Sequence, residues 1–245
     1  MESVAIVIPI YKKNISEFEL ISLNRCKEVF EKTRIIFVYP AGLEISLYIK
    51  IIPSAEFKPL KDKYFSSIYS YSRLLCIPYF YKFFLNYKYV LIYQLDAFVL
   101  ENKLSYWCEK GYDYIGAPWI NAEWIAKLKP LDSLVYPVGN GGFSLRKVKT
   151  FYYSSILLLP ISTFLWRRKW NEDFFWSSLA KRLIPGFKIP QVNEALDFAF
   201  EENPIECFKL NGNKLPFGCH AWEKYQPEFW KPIFNKIGYQ IPIES

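Results

Sequence analysis

The segment Tyr89-Val-Leu-Ile-Tyr-Gln-Leu-Asp-Ala-Phe-Val-Leu100 sets one carboxylate, Asp96, at the end of an otherwise apolar run. Burying that charge is costly unless a cation or hydrogen-bond donors satisfy it. Asp96 therefore either caps a loop after a buried strand or binds something positive, such as a metal ion carrying a phosphorylated ligand. Glu172 and Asp173 stand side by side before Phe174-Phe-Trp-Ser-Ser-Leu179, which reads as helical. Acids in a first helical turn are favourable on dipole grounds alone; facing a cleft, one can also act as general base toward a hydroxyl. His220 is the only histidine, which excludes a histidine-rich zinc site and leaves it either structural or a single ligand. One histidine and one carboxylate, completed by phosphate oxygens and water, suit Mn²⁺ or Mg²⁺ bound together with a nucleotide diphosphate. Gly139-Asn-Gly-Gly142 places three of the chain's ten glycines in four positions, as a plain turn or as a loop whose backbone closely approaches a substrate.

These residues need a scaffold, and the hydrophobic pattern supplies one of α/β class. Val4-Ala-Ile-Val-Ile-Pro-Ile10 is continuously apolar, as expected of a strand buried on both faces of a parallel sheet. Apolar positions at Phe18, Ile21, Leu23, Cys26, Val29 and Phe30 then predict a helix, and Arg34–Tyr39 a second strand, giving a β-α-β opening. A short strand is expected around Tyr48–Ile52, and helical material from Tyr64 to Leu85 with a break near Pro78. The fourth strand, Tyr89–Leu95, delivers Asp96. Ligands of open parallel sheets bind outside the carboxyl ends of the strands, so the loops starting at Tyr11 and Asp96 should face one crevice. Neither a dinucleotide-binding glycine fingerprint nor a Walker pattern follows the first strand, so bound phosphates would be held by a metal or by basic side chains. The second half carries fewer strand signals and more loops with Gly, Pro and Trp, and is expected to adapt the site to its substrate.

The 245 residues are 51% hydrophobic, enough for a sizeable core in one domain. Aromatic residues reach 20%, a surplus expected to line a groove in part, although codon bias accounts for it as well. A net charge of +7 favours an anionic partner. The basic residues are scattered except in Trp166-Arg-Arg-Lys-Trp170, and no nucleic-acid module accompanies that cluster. A solvated helix end or a contact with an anionic membrane surface fits it. Five cysteines without a CxxC pair indicate neither a disulfide framework nor a cysteine-rich zinc site. With no leader pattern and no apolar stretch near the roughly 18 residues needed to span a bilayer, the expected location is the cytoplasm, in solution or at the inner face of the membrane.

Tyr71-Ser-Arg-Leu-Leu75, Gln94-Leu-Asp96, Asp113-Tyr-Ile-Gly-Ala-Pro-Trp119, Gly139-Asn-Gly-Gly-Phe-Ser-Leu-Arg146, Glu172-Asp-Phe-Phe175 and Gly218-Cys-His220, in this order, resemble a GT-A-type glycosyltransferase, specifically a bacterial family catalogued as a domain of unknown function. The resemblance covers most of the chain from Val4 to about Trp222. It implies a GT-A, Rossmann-like fold: a mixed, mostly parallel central sheet flanked by helices in a single domain, with residues 1–100 as nucleotide-binding half and 101–245 as donor-sugar and acceptor half. It implies transfer of a sugar from a nucleotide donor, UDP-linked by analogy, to a hydroxyl of a glycan or lipid-linked saccharide. Gln94-Leu-Asp96 matches the family's Asp-x-Asp metal motif, with glutamine in place of the first acid. By the same resemblance His220 completes a Mn²⁺ or Mg²⁺ shell with Asp96, Asp173 is the base of an inverting reaction, and Glu172 orients the site. Tyr11, Lys12 and Arg73 are the expected nucleotide contacts. Trp119 and the loop Asn140, Gly141, Gly142 and Phe143 are expected at the donor sugar or acceptor.

Two other readings stay open on sequence. Gln94 also suits a noncatalytic nucleotide-sugar or carbohydrate-binding protein that kept the fold and lost the metal. Asp96 with Glu172 and Asp173 would also suit a metal-dependent phosphoryl-transfer enzyme.

Overall fold

The apolar run at Val4–Ile10 forms most of strand β1 (Glu2–Pro9) in the computed structural model, which describes residues 2–122, 125 and 135–242. β1 pairs in parallel with β2 (Arg34–Pro40) on one side and with β4 (Tyr87–Tyr93) on the other. Ala5 and Val7 enter one core cluster with Val38 and Val90, while Ile6 and Ile8 enter a second with Phe37 and Leu91. Both faces of the strand are thus covered, which is why the run shows no polar alternation. Helix α1 (Glu17–Val29) starts in a capping box: Ser16 Oγ accepts from the Glu19 amide at 3.2 Å, and Glu19 Oε2 accepts from the Ser16 amide at 2.9 Å.

The third strand is not where the pattern suggests. Residues around Tyr48 belong to helix α2 (Ser46–Ile51), with Tyr48 fully buried against Phe37, and β3 is Glu56–Leu60. A short apolar run does not separate buried strand from buried helix. The true strand is masked by two charges and Pro59, which a sheet tolerates at its edge. The predicted helical stretch divides into α3 (Ile68–Leu74) and α4 (Pro78–Lys82), with the proline at the start of the second.

The sheet order is β3-β2-β1-β4-β7-β6, where β6 is Tyr114–Ile115 and β7 is Phe143–Lys147. β7 runs antiparallel to β4 with Tyr93 opposite Phe143, so the glycine loop preceding β7 lies where β4 delivers Gln94 and Asp96. A second sheet, β5-β9-β8, joins Phe98–Val99, Gly218–Cys219 and Ala199–Phe200. After β7 come helices Val148–Leu157 and Leu159–Arg167, then a helical turn Glu172–Phe174 that continues as a π-helix over Phe175–Ala180. The aromatic surplus goes largely into the core, since Trp107, Trp176, Trp222 and Trp230 are all fully buried. The five cysteines are buried free thiols.

Candidate active site

The small sheet assembles the first half of the site. In it Cys219 stands opposite Phe98 on β5 and Phe200 on β8, which carries Asp96, His220 and Glu201 to one point. The His220 amide donates to the Phe200 carbonyl at 3.0 Å. Its imidazole lies between carboxylates, Nδ1 2.9 Å from Glu201 Oε1 and Nε2 3.1 Å from Asp96 Oδ1. Gln94 Oε1 is 3.2 Å from the same Nε2. Burial disfavours a charged imidazole here, but Asp96 and Glu201 outweigh it and push the His220 pKa well above its ordinary value. Burial likewise works against the Asp96 carboxylate, and the imidazole beside it still holds that pKa down.

This cluster fits a divalent cation in part. With the Nδ1 proton given to Glu201, three acceptors converge: Nε2, Asp96 Oδ1 and Gln94 Oε1. Such a convergence needs a positive charge, either a proton on Nε2 or a metal ion. A carboxylate behind the distal nitrogen is the usual device for orienting a metal-binding histidine. Among the described residues no group of three or more His, Cys, Asp or Glu side chains could hold a metal by itself. The donor set therefore suits Mn²⁺ or Mg²⁺ completed by oxygen ligands from a bound phosphorylated molecule.

The glycine loop joins this cluster to the acids. The Gln94 amide donates to the Gly142 carbonyl at 2.9 Å, and Asn140 Oδ1 accepts from the Gly142 amide at 3.0 Å. A Cβ on Gly142 would overlap the His220 ring, and one on Gly141 would overlap Glu172 Oε1 and Asp173 Oδ1. Two consecutive residues without side chains therefore let imidazole and carboxylates close on the same strip of backbone.

Glu172 is fixed by Arg146, a fully buried residue of β7. The guanidinium donates to Glu172 Oε1 at 2.8 Å, Ser144 Oγ at 3.0 Å, Tyr81 Oη at 3.0 Å and the Gly141 carbonyl at 3.3 Å. Burial opposes that charge, and Glu172 foremost among its neighbours retains it. Asp173 keeps part of its surface exposed. Burial, then the charge of Glu172, push its pKa well above the ordinary carboxylate value.

Two adjoining cavities meet over these residues. One of about 380 Å³ is lined by Trp119, Asn140, Gly142, Glu172, Asp173, Glu201 and His220. The other, about 640 Å³, is lined by Tyr11, Lys12, Phe65, Gln94 and Asp96. Ile68, Tyr71 and Gln94 border both, so the loops after β1 and β4 open onto one continuous cleft. Lys12 and Glu19 both line the larger cavity and form an ion pair at 2.7 Å.

Two expected residues lie elsewhere. Phe143 is fully buried among Tyr93, Phe198 and Phe217, because successive strand residues point to opposite faces and Gly142 holds the cleft side. Arg73 is turned away from the cleft into a small pocket, its guanidinium 4.1 Å from the Trp166 ring centre, while Tyr71 and Ser72 of the same helix face the cleft. In the sequence Tyr71 and Arg146 stand out only as members of their motif blocks, with no role of their own, and Glu201 is not marked at all. Glu201 repeats the Asp96 signal, an acid ending an apolar run, but Phe198-Ala-Phe200 is too short to stand out.

Residues 54–220 match the family described as "Protein of unknown function (DUF5672)". No curated protein matches by sequence. Among solved structures the chain is similar to galactosyltransferase LgtC in complex with donor and acceptor sugar analogs, at 13% identity and a TM-score of 0.63, covering 97% of each chain. It is similar to mouse xyloside xylosyltransferase 1 at 8% identity and 0.56, over 89% of this chain and 97% of that one. The bifunctional glycosyltransferase WbbM gives 12% and 0.57, over 98% of this chain and 50% of that one. The shared fold is GT-A: a mixed, mostly parallel sheet flanked by helices.

Proposed function

The chain belongs to the DUF5672 family and has a GT-A fold, and we propose that it is a glycosyltransferase moving a sugar, a hexose in our reading, from a UDP-linked donor to a hydroxyl of a glycan or lipid-linked saccharide. The observation that carries this reading is the Gly141-Gly142 step, where an acid pair and an Asp96–His220 pair close on consecutive residues of one cleft. A group-transfer site needs both: a base on one side of the reacting carbon and charge neutralisation for the leaving group on the other.

In this reading the nucleoside diphosphate occupies the larger cavity beside Tyr11, Lys12 and Asp96, and the acceptor hydroxyl meets Asp173. Asp96, His220 and the Gln94 amide oxygen would hold Mn²⁺ or Mg²⁺ when the donor is bound, and the ion would neutralise charge on the departing diphosphate. Ionised Asp173 takes the hydroxyl proton as the acceptor oxygen attacks the anomeric carbon opposite the diphosphate. The carbon–oxygen bond to the diphosphate breaks, and the glycoside forms with inverted configuration. Glu172, held by Arg146, raises the proton affinity of Asp173 and so strengthens the base. Trp119 and Asn140 line the wall available to the sugar.

The test is donor turnover: nucleoside diphosphate release from UDP-hexoses with Mn²⁺, followed by NMR of the anomeric configuration. Asp173→Asn is expected to lower the rate by about 10²- to 10⁴-fold, the usual worth of a general base. Retained configuration would remove Asp173 from that role, and donor binding without any turnover would overturn the transferase reading.

A further inference from the structure

Helices Val148–Leu157 and Leu159–Arg167 meet at a 76° bend, and apolar side chains are exposed on both sides of it. Leu157 is 68% exposed, Tyr153 64%, Phe164 57% and Ile156 47%, with Leu159 and Ile161 exposed beside them. On the opposite side Phe151, Ser154, Leu158 and Ser162 are buried, which anchors the pair to the body of the protein. No single helix among the described residues is long and apolar enough to cross a membrane. The second helix ends at Arg167, and Arg168 and Lys169 follow it directly, all three exposed. Six large apolar side chains around one corner, followed at once by three consecutive cations, are more than scattered surface hydrophobes.

We propose that this elbow is a docking surface for an anionic phospholipid bilayer, with the apolar corner entering the acyl boundary and Arg167, Arg168 and Lys169 meeting the headgroups. Charge complementarity selects this occupant. A cation cluster beside an apolar face is attracted to an anionic surface. Two copies of a chain of net charge +7, meeting through this same face, would bring like charges together. Arg73 takes a role here, since its stacking on Trp166 ties the second helix to α3. The surface also continues toward the cleft: Lys169 Nζ lies 5.9 Å from the Tyr69 ring centre, and the preceding Ile68 lines both cavities. A bilayer on the elbow would therefore lie near the cleft mouth, where a lipid-linked acceptor would have to enter.

Co-sedimentation tests it, using the full chain and vesicles of pure phosphatidylcholine or of phosphatidylcholine mixed equally with phosphatidylglycerol. The protein is expected to sediment with the mixed vesicles and release at high salt. Arg167→Gln with Arg168→Gln should weaken binding roughly 30-fold, from the usual worth of two surface cations. Leu157→Asp with Phe164→Asp should remove binding with an unchanged melting temperature, both positions being exposed. No sedimentation with mixed vesicles at low salt, or equal binding to both vesicles, would overturn the proposal. So would a dimer in sedimentation velocity that the Leu157→Asp/Phe164→Asp variant dissociates. Vesicle binding is read without turnover, so it stands or falls separately from the transferase reading.

Discussion

The surroundings of Asp173 favour its protonated form, which works at low pH against the role of base proposed for it. Burial and the adjacent Glu172 raise its pKa, while a base must be ionised to accept a proton. The acid limb of kcat/KM is therefore expected well above the ordinary aspartate range of about 3.9, with activity rising as pH increases. Glu172→Gln removes the neighbouring charge and should move that limb to lower pH; a limb that stays in place would mean that Glu172 does not tune the base. The same shift has a sign for stability. A carboxyl whose folded pKa is raised contributes stability that is fully present below its unfolded pKa and lost as pH rises through the folded one. At neutral pH Asp173 is then a cost, and Asp173→Asn should raise Tm while slowing transfer by the roughly 10²- to 10⁴-fold worth of a general base. Calorimetry at pH 7 checks this; a lower Tm in the variant would contradict the raised pKa. Arg146 behaves oppositely. Arg146→Met leaves Glu172 buried without its cation and should destabilise by about 3–5 kcal/mol in urea unfolding. Adding Glu172→Gln should recover part of that loss.

At the scale of elements, the site is a product of register. The antiparallel pairing of β4 with β7 brings the glycine loop to Gln94, and the two-residue pairings of β5, β9 and β8 bring His220 to Asp96 and Glu201. Gly142→Ala tests how closely these fit. The added methyl would meet the His220 ring, forcing imidazole or loop to move at about 1–3 kcal/mol. The variant is expected to remain folded and to lose most of any Mn²⁺-dependent thermal shift; a full shift would show that the loop does not set the imidazole. This dependence on register also explains what could be read from sequence. β1, β2 and β4 were legible because strands buried on both faces leave unbroken apolar runs, and Asp96 was legible because it ends one. β3 was not, since an edge strand keeps charges and Pro59. Phe143 and Arg73 were placed by their motif blocks, but strand alternation and helix phase turn them away from the cleft. Glu201 joins the site through two-residue strands, whose pairing is long-range and leaves no local pattern.

For the whole molecule, the division of the cleft matters more than either cavity alone. The larger space lies by Tyr11, Lys12 and Asp96 and the smaller by Asp173 and His220, and they meet at Ile68, Tyr71 and Gln94. A nucleoside diphosphate would fill the first, and only a sugar nucleotide would reach into the second. Ligand that binds the native state alone raises stability by mass action, about 2.7 kcal/mol at a hundredfold excess over Kd. Thermal unfolding should therefore rank the free protein below protein with UDP and Mn²⁺, and that below protein with a matching UDP-sugar and Mn²⁺. Mn²⁺ alone should shift Tm little, because Asp96, His220 and Gln94 supply only part of a shell. Asp96→Ala should remove the Mn²⁺-dependent part of the shift while leaving whatever shift the nucleotide gives without metal. A variant that keeps the full Mn²⁺-dependent shift would take Asp96 out of the proposed metal site. A large shift with Mn²⁺ and no nucleotide would show that the chain completes the shell unaided. Equal shifts for UDP and every UDP-sugar would mean that the smaller cavity does not receive the donor.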